Sequence, residues 1–455
     1  MGLDRRQLFK FAALTGAVPT VALATPSVAA PMSTMGIDAV TLGVRAGGTI
    51  DQTAALQNAI DQTAGARVPL VLGPGEYRTG ELKLPTGTQI VGVRGATRLI
   101  FEGGAGLIFA RGADHVTLSG LMLDGKGKPL AEDRGLLQLS WGGDVRVIDC
   151  EIVNSGRHGI VLEEVEGLVS GTTITGAADT GIVSRNARGL SIQNNVVRSA
   201  GNGGIAVMRA DKGDDGTQVL DNRIEDISAA GDGARKSGNG IYVLNAENVT
   251  VRGNRIKRAA HSGVRGKAAS NLQIISNIVN DVGDVGLYSE FGFEGAVIAN
   301  NTINGAALGV AVVNFNEGGR LAVVQGNLIR NLKSTRPIGA TSNDSAGAGV
   351  GITVEADAAV TGNVVENAPD TGIKLGWGQY LRDVTVTGNV VRSVGFGITA
   401  SVSTGAGQAV IAGNMVADAS RGSIVGMDFA EALPDDLSIQ TTRYAHLTIR
   451  GNKVR

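Results

Sequence analysis

The chain has 455 residues, of which 68 are glycine, 10 are proline and one is cysteine. Apolar residues make up 43% of the sequence, which excludes a disordered chain, and the abundance of glycine without proline excludes collagen. The net charge of −1, from 41 basic and 42 acidic residues, shows no electrostatic signature of a nucleic-acid-binding or membrane-surface protein. A single cysteine excludes an intramolecular disulfide.

The first 29 residues are typical of an export signal. Arg5 and Arg6 precede a Leu-Phe-Lys sequence, as in the twin-arginine signal that this segment resembles. The weakly apolar run over 11–24 is too short to span the roughly 30 Å core of a bilayer. Small residues predict cleavage after Ala29, with cleavage after Ala24 as the alternative. We therefore expect export by the twin-arginine translocation machinery, a periplasmic or secreted location, and no membrane span in the mature protein.

The segment 30–105 is predicted to form an N-terminal cap with the first strands. Residues 51–66 place apolar side chains on one helical stripe, and Asp51 is positioned to cap the start of this helix. Short strands separated by Pro-Gly and Pro-Thr-Gly turns follow over 68–101. Because the end of a repeat array exposes apolar interior, we expect the helix to cover it.

Two short phrases alternate through the remainder, 106–455, at a minimum spacing of 22–24 residues. In the first phrase a glycine precedes Ile, Val or Leu and opens a strand. These glycines are Gly159, Gly181, Gly204, Gly240, Gly263, Gly286, Gly309, Gly351, Gly372 and Gly397. The second phrase ends one strand at an asparagine and begins the next. The asparagines are Asn195, Asn222, Asn254, Asn277, Asn301, Asn327, Asn363, Asn389, Asn414 and Asn452, with Cys150 and Thr172 in their place in earlier copies.

Each copy holds three short β segments, too few to bury a face alone, so stacked copies must pair their strands. We therefore predict an all-β, right-handed parallel β-helix of about 12–13 rungs with an N-terminal capping helix. A leucine-rich horseshoe would need leucine spacing that is missing here, and a β-sandwich would not repeat so regularly. The asparagines are expected at left-handed corners and in ladders, and the glycines where rungs approach closely.

DQTAALQNAID (51–61) and LGPGEYRTG (72–80) resemble the opening segment of pectin-lyase-like β-helix proteins, and the repeat phrases resemble those of alginate epimerases. With the export signal, the repeat resembles a bacterial family of twin-arginine-translocated repeat proteins whose activity is uncharacterised. This resemblance implies a substrate groove over the strand that begins at each Gly-Ile phrase. The ordered motifs of polygalacturonases and the DPHD motif of alginate epimerases are missing, so their catalytic residues are not carried over.

The sequence independently indicates the same groove, because its insertions fall on both sides of the Gly-Ile strands. The insertions are 209–218, 229–239, 314–320, 333–348 and 376–383. Three consecutive strands present reactive side chains outward, and a histidine is followed 23 residues later by an aspartate. The candidate catalytic residues are His261, Arg265, Lys267, Asp284, Tyr288 and Glu290. The candidate substrate-binding residues are Asn239, Tyr242, Lys374 and Trp377.

These residue types suit proton abstraction next to a sugar carboxylate, as in β-elimination or C5-epimerisation. His261 oriented by Asp284 would act as the base and Tyr288 as the proton donor, while Arg265 and Lys267 would neutralise the carboxylate. The structural alternative is a Lys267–Glu290 ion pair between rungs, which typically contributes about 0–1 kcal/mol, with the tyrosines packed on the sheet.

Two weaker candidates lie outside this cluster. Arg157, His158 and Glu163 form a second possible polar group in the groove. Asp214 and Asp215 lie in a glycine-rich loop but supply too few oxygens for a calcium ion. We predict no metal site and no cofactor.

Two functions remain open at this point. The first is an exported lyase or C5-epimerase acting on an acidic polysaccharide, and the second is a non-catalytic cell-envelope protein that binds glycan or has a structural role. Whether the protein is an enzyme is therefore left undecided by the sequence. In both cases the expected partner is a polysaccharide, with no nucleic acid involved.

Overall fold

Short parallel strands stack in register to form a right-handed β-solenoid. The computed structural model describes residues 36–230, 238–337 and 347–455. The predicted signal peptide, 1–29, lies outside these residues. So do 231–237 and 338–346, the central parts of two insertions that the sequence predicts to flank the groove.

One face of the solenoid is a sheet of 16 parallel strands. Its strands are Ile37–Asp38, Leu70–Val71, Gln89–Val91, Thr117–Ser119, Val145–Ile148, Gly167–Ser170, Ser191–Gln193, Gln218–Leu220, Thr250–Arg252, Leu272–Ile275, Glu294–Ala299, Arg320–Gln325, Ala356–Thr361, Arg382–Thr387, Ala409–Ala412 and Leu447–Arg450.

A second sheet of 27 strands forms the other two faces. The face that follows the asparagines contains Gly75–Thr79, Thr97–Phe101, Met122–Asp124, Glu151–Val153, Thr173–Thr175, Val196–Arg198, Arg223–Ile227, Arg255–Ala259, Ile278–Asn280, Thr302–Asn304, Leu328–Arg330 and Lys453–Val454. The Gly-Ile face contains Leu82–Lys83, Ile108–Arg111, Gly135–Ser140, His158–Glu163, Thr180–Arg185, Gly203–Asp214, Asn239–Glu247, Val264–Lys267, Val285–Glu290, Leu308–Val312 and Val350–Val354.

Three long strands continue through both of these faces: Val364–Leu375, Val390–Ser401 and Met415–Asp428. An antiparallel strand, Glu431–Asp436, pairs with the last of them. The solenoid has about 13 turns, which confirms the predicted fold and rung number. Three further strands of the 16-stranded sheet precede residue 106, so the N-terminal segment extends the solenoid as well as covering it.

The α-helix of the described chain spans Thr53–Ala66 and covers the N-terminal end of the core. Leu56, Ala59 and Ile60 are fully buried on one of its faces, as the apolar spacing predicts. The Asp51 carboxylate accepts a hydrogen bond from the Thr53 backbone N–H at 2.8 Å, which satisfies a first-turn donor. Two short 3₁₀ helices span Ala39–Leu42 and Phe315–Glu317. Across the described ranges we find no helix with the length and apolarity that crossing a bilayer requires.

The buried asparagines form a continuous ladder inside one corner. Oδ1 of Asn254 accepts hydrogen bonds from both the backbone N and Nδ2 of Asn222, each at 3.0 Å. The same pair of bonds links every successive asparagine from Asn195 to Asn452. The left-handed conformation, expected at the asparagine, belongs instead to the residue before it, such as Asp221 or Gly253. The corner therefore uses two residues, one for the bend and one for the ladder.

The glycine of each Gly-Ile phrase is required by the approach of neighbouring rungs. A Cβ atom on Gly263 would lie 2.6 Å from the carbonyl oxygen of Gly286 in the next rung. The same contact recurs between Gly240 and Gly263, at 2.7 Å. Any side chain here would force the strands apart, which explains why the phrase begins with glycine.

Candidate functional site

The Gly-Ile face brings the candidate residues of three consecutive strands into adjacent register. Tyr242 pairs with Arg265, and Arg265 with Tyr288, so these three form one outward row. Lys267 and Glu290 are register neighbours in the next outward row. The 23-residue spacing thus brings these residues into the neighbouring positions that the sequence predicts.

Arg265 and Glu290 form the strongest interaction in this cluster. Nε of Arg265 donates to Oε1 of Glu290 at 2.6 Å, and the side chains are only 13% and 3% exposed. The guanidinium also lies 5.5 Å from the centre of the Tyr288 ring. Burial, together with the charge of Glu290, raises the pKa of Tyr288, so this phenol stays protonated at neutral pH. Tyr242 is also buried, and burial raises its pKa as well.

Lys267 contacts an aromatic ring, not the Glu290 carboxylate of the structural alternative. Its Nζ lies 4.4 Å from the centre of the Phe291 ring, while Glu290 accepts from Arg265. The Arg265 side chain extends diagonally from its own strand to the buried Glu290 carboxylate on the neighbouring strand. The Lys267–Glu290 ion pair of the structural alternative does not form: Lys267 makes a cation–π contact, and Glu290 pairs with Arg265.

Asp284 was expected to orient His261, but its carboxylate binds Arg336, with Nε to Oδ1 at 2.6 Å. Both of these side chains are largely buried. The connection between Asp284 and His261 runs through the backbone, where the Asp284 N–H donates to the His261 carbonyl at 3.0 Å. Arg336 comes from an insertion 52 residues further on, and no repeat spacing predicts its position.

A cleft of about 480 Å³ opens further along the same face, and two of the predicted substrate-binding residues line it. Nζ of Lys374 lies 4.2 Å from the centre of the Trp377 ring, and Trp377 is 39% exposed. Within the described ranges, Lys374 forms no ion pair and no side-chain hydrogen bond. Burial lowers its pKa, partly offset by the charges of Asp370 and Glu355. An open, half-buried ammonium beside an exposed indole is suited to binding an anionic sugar.

The sequence gives little signal for the residues on the opposite side of this cleft. Arg421 lies 4.1 Å from the Phe396 ring centre and pairs with the Asp370 carboxylate at 2.7 Å. Phe396 and Arg421 each directly precede a glycine, Gly397 and Gly422, whereas the outward positions considered from the sequence follow the glycine. Asn239, the remaining predicted substrate-binding residue, is buried, and its Oδ1 accepts from the Ser262 N–H at 3.3 Å.

The second candidate group centres on His158. Its Nδ1 lies 3.9 Å from the Asp179 carboxylate and 3.4 Å from the backbone N–H of Thr180. Burial lowers the pKa of His158, which favours the neutral ring. Arg157 also approaches Asp179, at 3.4 Å, whereas Glu163 accepts from the Ser140 hydroxyl. This group is therefore a His-Asp-Arg cluster from which Glu163 is separate.

Asp214 and Asp215 have different environments. Asp215 is buried, and burial raises its pKa, while the nearest guanidinium atom, on Arg209, is 3.8 Å away. Asp214 accepts from the Asn248 amide at 2.7 Å. Over 36–230, 238–337 and 347–455, no group of three or more His, Cys, Asp or Glu side chains is arranged to hold a metal ion.

The fold is that of right-handed β-helix proteins. A family model described as "Right handed beta helix region" matches residues 135–211 and 158–329. No curated protein sequence matches the chain.

Several solved structures are similar to this chain. The catalytic unit of a thermostable GH87 α-1,3-glucanase from Streptomyces thermodiastaticus strain HF3-3 has a TM-score of 0.51 at 15% identity, covering 94% of this chain and 70% of that one. The N-terminal fragment of bacteriophage phi29 gene product 12 has a TM-score of 0.55 at 15% identity, covering 89% and 74%. The A-module of the Azotobacter vinelandii mannuronan C-5 epimerase AlgE6 has a TM-score of 0.48 at 13% identity, covering 92% and 99%. At these identities the likeness concerns the fold.

Proposed function

We propose that this protein binds an acidic polysaccharide along the Gly-Ile face and acts on it as a lyase or C5-epimerase. The observation that carries this proposal is Lys374. Its ammonium group lies in an open cleft, over the ring of Trp377, without a carboxylate partner among the described residues. A half-buried charge without an ion-pair partner costs free energy, so its retention favours a role in binding an anion.

A uronate residue carries the two features that this cleft complements. The apolar face of a sugar ring can stack on the exposed Trp377 indole, and its carboxylate can approach the Lys374 ammonium. Lys374 would therefore hold one uronate of the polymer, at a position three register steps, about 14 Å, along the face from Tyr288.

The reaction begins when a base takes the C5 proton and the electron pair passes into the carboxylate group. In a lyase, the pair then forms the C4–C5 double bond, and the O4 leaving group departs with a proton from an acid. In an epimerase, a proton returns to C5 from the opposite face. For these transfers we propose the predicted set around His261 and Tyr288, acting on another residue of the same polymer: His261 as the base, Lys267 to neutralise the carboxylate, and the neutral phenol of Tyr288 as proton donor.

The structural comparison supports a glycan-related function, because one protein with a similar fold is an α-1,3-glucanase. That enzyme offers a direct alternative substrate class for testing. The residues of the cleft favour the acidic polymer, since Arg421 pairs with the Asp370 carboxylate and Lys374 adds a further positive charge to the lining.

The test uses polygalacturonate, alginate, hyaluronate and α-1,3-glucan as probes. Lyase activity would appear as ultraviolet absorbance of unsaturated uronate ends, and epimerase activity as incorporation of deuterium at C5 in D₂O. We expect one acidic polymer to react, and Lys374→Met to weaken its binding. Thr353→Ala is the matched control, because Thr353 is the outward register neighbour of Lys374. Binding of an acidic polymer without either product would leave a glycan-binding protein, and reaction with α-1,3-glucan alone would overturn the proposed substrate class.

We also propose that the protein is exported by the twin-arginine route to the periplasm or medium. The support is the pattern of Arg5 and Arg6 before an apolar run and small residues. Replacement of both arginines by lysine should hold the full-length precursor inside the cell, while the unchanged chain is cut near Ala29. Export of the doubly substituted chain at the normal rate would contradict this route.

A further inference from the structure

Three cations of the Gly-Ile face share an unusual arrangement. Cζ of Arg111 lies 3.9 Å from the Trp141 ring centre, Nζ of Lys267 lies 4.4 Å from that of Phe291, and Nζ of Lys374 lies 4.2 Å from that of Trp377. Each cation thus covers an aromatic ring at the margin of the same face. We call these the three cation–aromatic sites.

These cations do not form ion pairs with carboxylates of the described residues, although the charges of Asp370 and Glu355 act on Lys374 from a longer distance. Within residues 36–230, 238–337 and 347–455, none of the three forms an ion pair or a side-chain hydrogen bond. By contrast, Arg265 and Arg421 on the same face are paired with Glu290 and Asp370. The face therefore carries two kinds of cation: arginines that are paired with carboxylates, and cations whose charge is available to a ligand.

The three sites lie in a line along the solenoid axis. Arg111 and Lys267 belong to one outward row, whose register runs strand by strand between them. The members of this row are Arg111, Ser140, Glu163, Arg185, Met208, Leu244 and Lys267. Lys374 lies four strands further, in the adjacent outward row. At about 4.8 Å per strand, the two intervals are about 29 Å and about 19 Å.

The other side chains of this row do not prevent an anionic chain from lying along it. Glu163 and Arg185 are register neighbours between the first two sites, but Arg185 lies 3.4 Å from the Asp133 carboxylate and Glu163 accepts from the Ser140 hydroxyl. Ser140, Met208 and Leu244 carry no charge. An anionic chain that follows this row and then the adjacent one therefore passes the Glu163 carboxylate and three cations that form no ion pair among the described residues.

We propose that the three cation–aromatic sites bind a single linear, polyanionic polysaccharide that lies along the solenoid axis. The inference rests on the proposed function for its Lys374 site and extends it to a ligand spanning about 48 Å, the sum of the two intervals. The aromatic rings would stack on sugar rings, and the cations would contact carboxylate or sulfate groups. A short oligosaccharide reaches one site only, so this surface fits a polymer.

Linking three weak contacts through one chain raises the effective concentration at the second and third sites. Such multivalent binding commonly strengthens affinity by about 10²–10⁴-fold over a single contact. Because each cation meets an anionic group of the polymer, the affinity should also fall with added salt.

The test compares size-fractionated alginate and polygalacturonate, short oligomers against long polymer, by calorimetric titration. We expect long chains to bind at least tenfold more tightly. Arg111→Ala and Trp141→Ala should reduce affinity for the long polymer several-fold and leave affinity for short oligomers unchanged. Arg111→Lys, which keeps the charge, should retain most of the affinity.

Lys257→Ala is the matched control, because it removes one positive charge from the face that follows the asparagines. It should leave both affinities unchanged. Equal affinity for short and long chains, or an unchanged long-chain affinity in Arg111→Ala, would overturn the extended site. If Lys374→Met still weakened binding in that case, the proposed function would stand with a single site. Failure of both probes to bind the unchanged protein would overturn both proposals.

Discussion

Arg265 and Glu290 form an ion pair between neighbouring Gly-Ile strands, with Nε donating to Oε1 at 2.6 Å and both side chains nearly buried. The pair lies at the centre of the predicted catalytic cluster, beside Tyr288. A buried pair of this kind contributes to the fold whether or not it takes part in chemistry. Experiments on this cluster must therefore measure stability and activity separately.

Arg265→Ala should destabilise the protein by about 3–5 kcal/mol, because it leaves the Glu290 carboxylate buried without its partner. The double variant Arg265→Met with Glu290→Leu should recover most of this loss, since apolar residues of similar size replace both charges. Urea denaturation followed by circular dichroism measures both changes. If Arg265→Ala unfolds at the same urea concentration as the unchanged protein, the pair has no structural role.

The activity of the double variant then addresses the chemistry. We expect it to fold and to lose turnover if Arg265 or Glu290 contacts the substrate. Full activity in the folded double variant would remove both residues from the catalytic proposal.

Gly263→Ala should lower stability by about 1–3 kcal/mol or more, because the new methyl group would lie 2.6 Å from the Gly286 carbonyl oxygen. The matched substitution is Gly362→Asn. Gly362 has a φ of +64° and nothing within 4 Å of the place that a Cβ atom would occupy, and asparagine occupies the equivalent corner at Asn194 and Asn300. This second variant should unfold within about 0.5 kcal/mol of the unchanged protein. Equal unfolding midpoints for the two variants would contradict the close-approach explanation.

The repeat allows the fold to be predicted from sequence almost in full. A regular spacing converts position in the chain into position along the axis, so Arg265 and Tyr288 are found in register as expected. The ladder also follows from the spacing, because each asparagine stacks on the next. The left-handed residue was assigned to the wrong position, since Asn, Asp, Ser and Gly all tolerate that conformation and occur side by side at the corners.

The partners of individual side chains in the site were less predictable. Spacing places Lys267 beside Glu290, but the reach of Arg265 decides which cation binds the carboxylate. Arg336 enters from an insertion whose path is independent of the repeat, and it takes the Asp284 carboxylate. Contacts between register neighbours can therefore be predicted from the sequence. Which of several long side chains binds a given carboxylate, and where an insertion places its residues, can be determined only from the structure.

Asn277→Ala should destabilise the protein by about 2–4 kcal/mol. Oδ1 of Asn277 accepts from the backbone N of Asn254 at 2.9 Å, and its Nδ2 donates to the Val251 carbonyl at 2.9 Å. The substitution leaves these buried groups without partners, at about 1–3 kcal/mol each. Asn331→Ala is the control, since Asn331 belongs to an exposed ladder at the surface. Equal urea midpoints for the two variants would show that the buried ladder adds nothing to stability.

Lys374→Met should have opposite effects on stability and on binding. Burial lowers the pKa of Lys374 in the folded protein, so between the folded and unfolded pKa values the unfolded chain binds more protons. Stability therefore rises with pH through that window, and at neutral pH the charged lysine costs stability. Methionine, which has a similar volume, removes this cost, so we expect a higher urea midpoint at pH 7. We also expect the free energy of unfolding to depend less on pH in the alkaline range. The same variant should bind the acidic polymer about tenfold more weakly, as expected for loss of a charge-assisted contact. A lower midpoint at pH 7 together with unchanged polymer affinity would assign Lys374 a structural role and remove the observation that carries the proposed function.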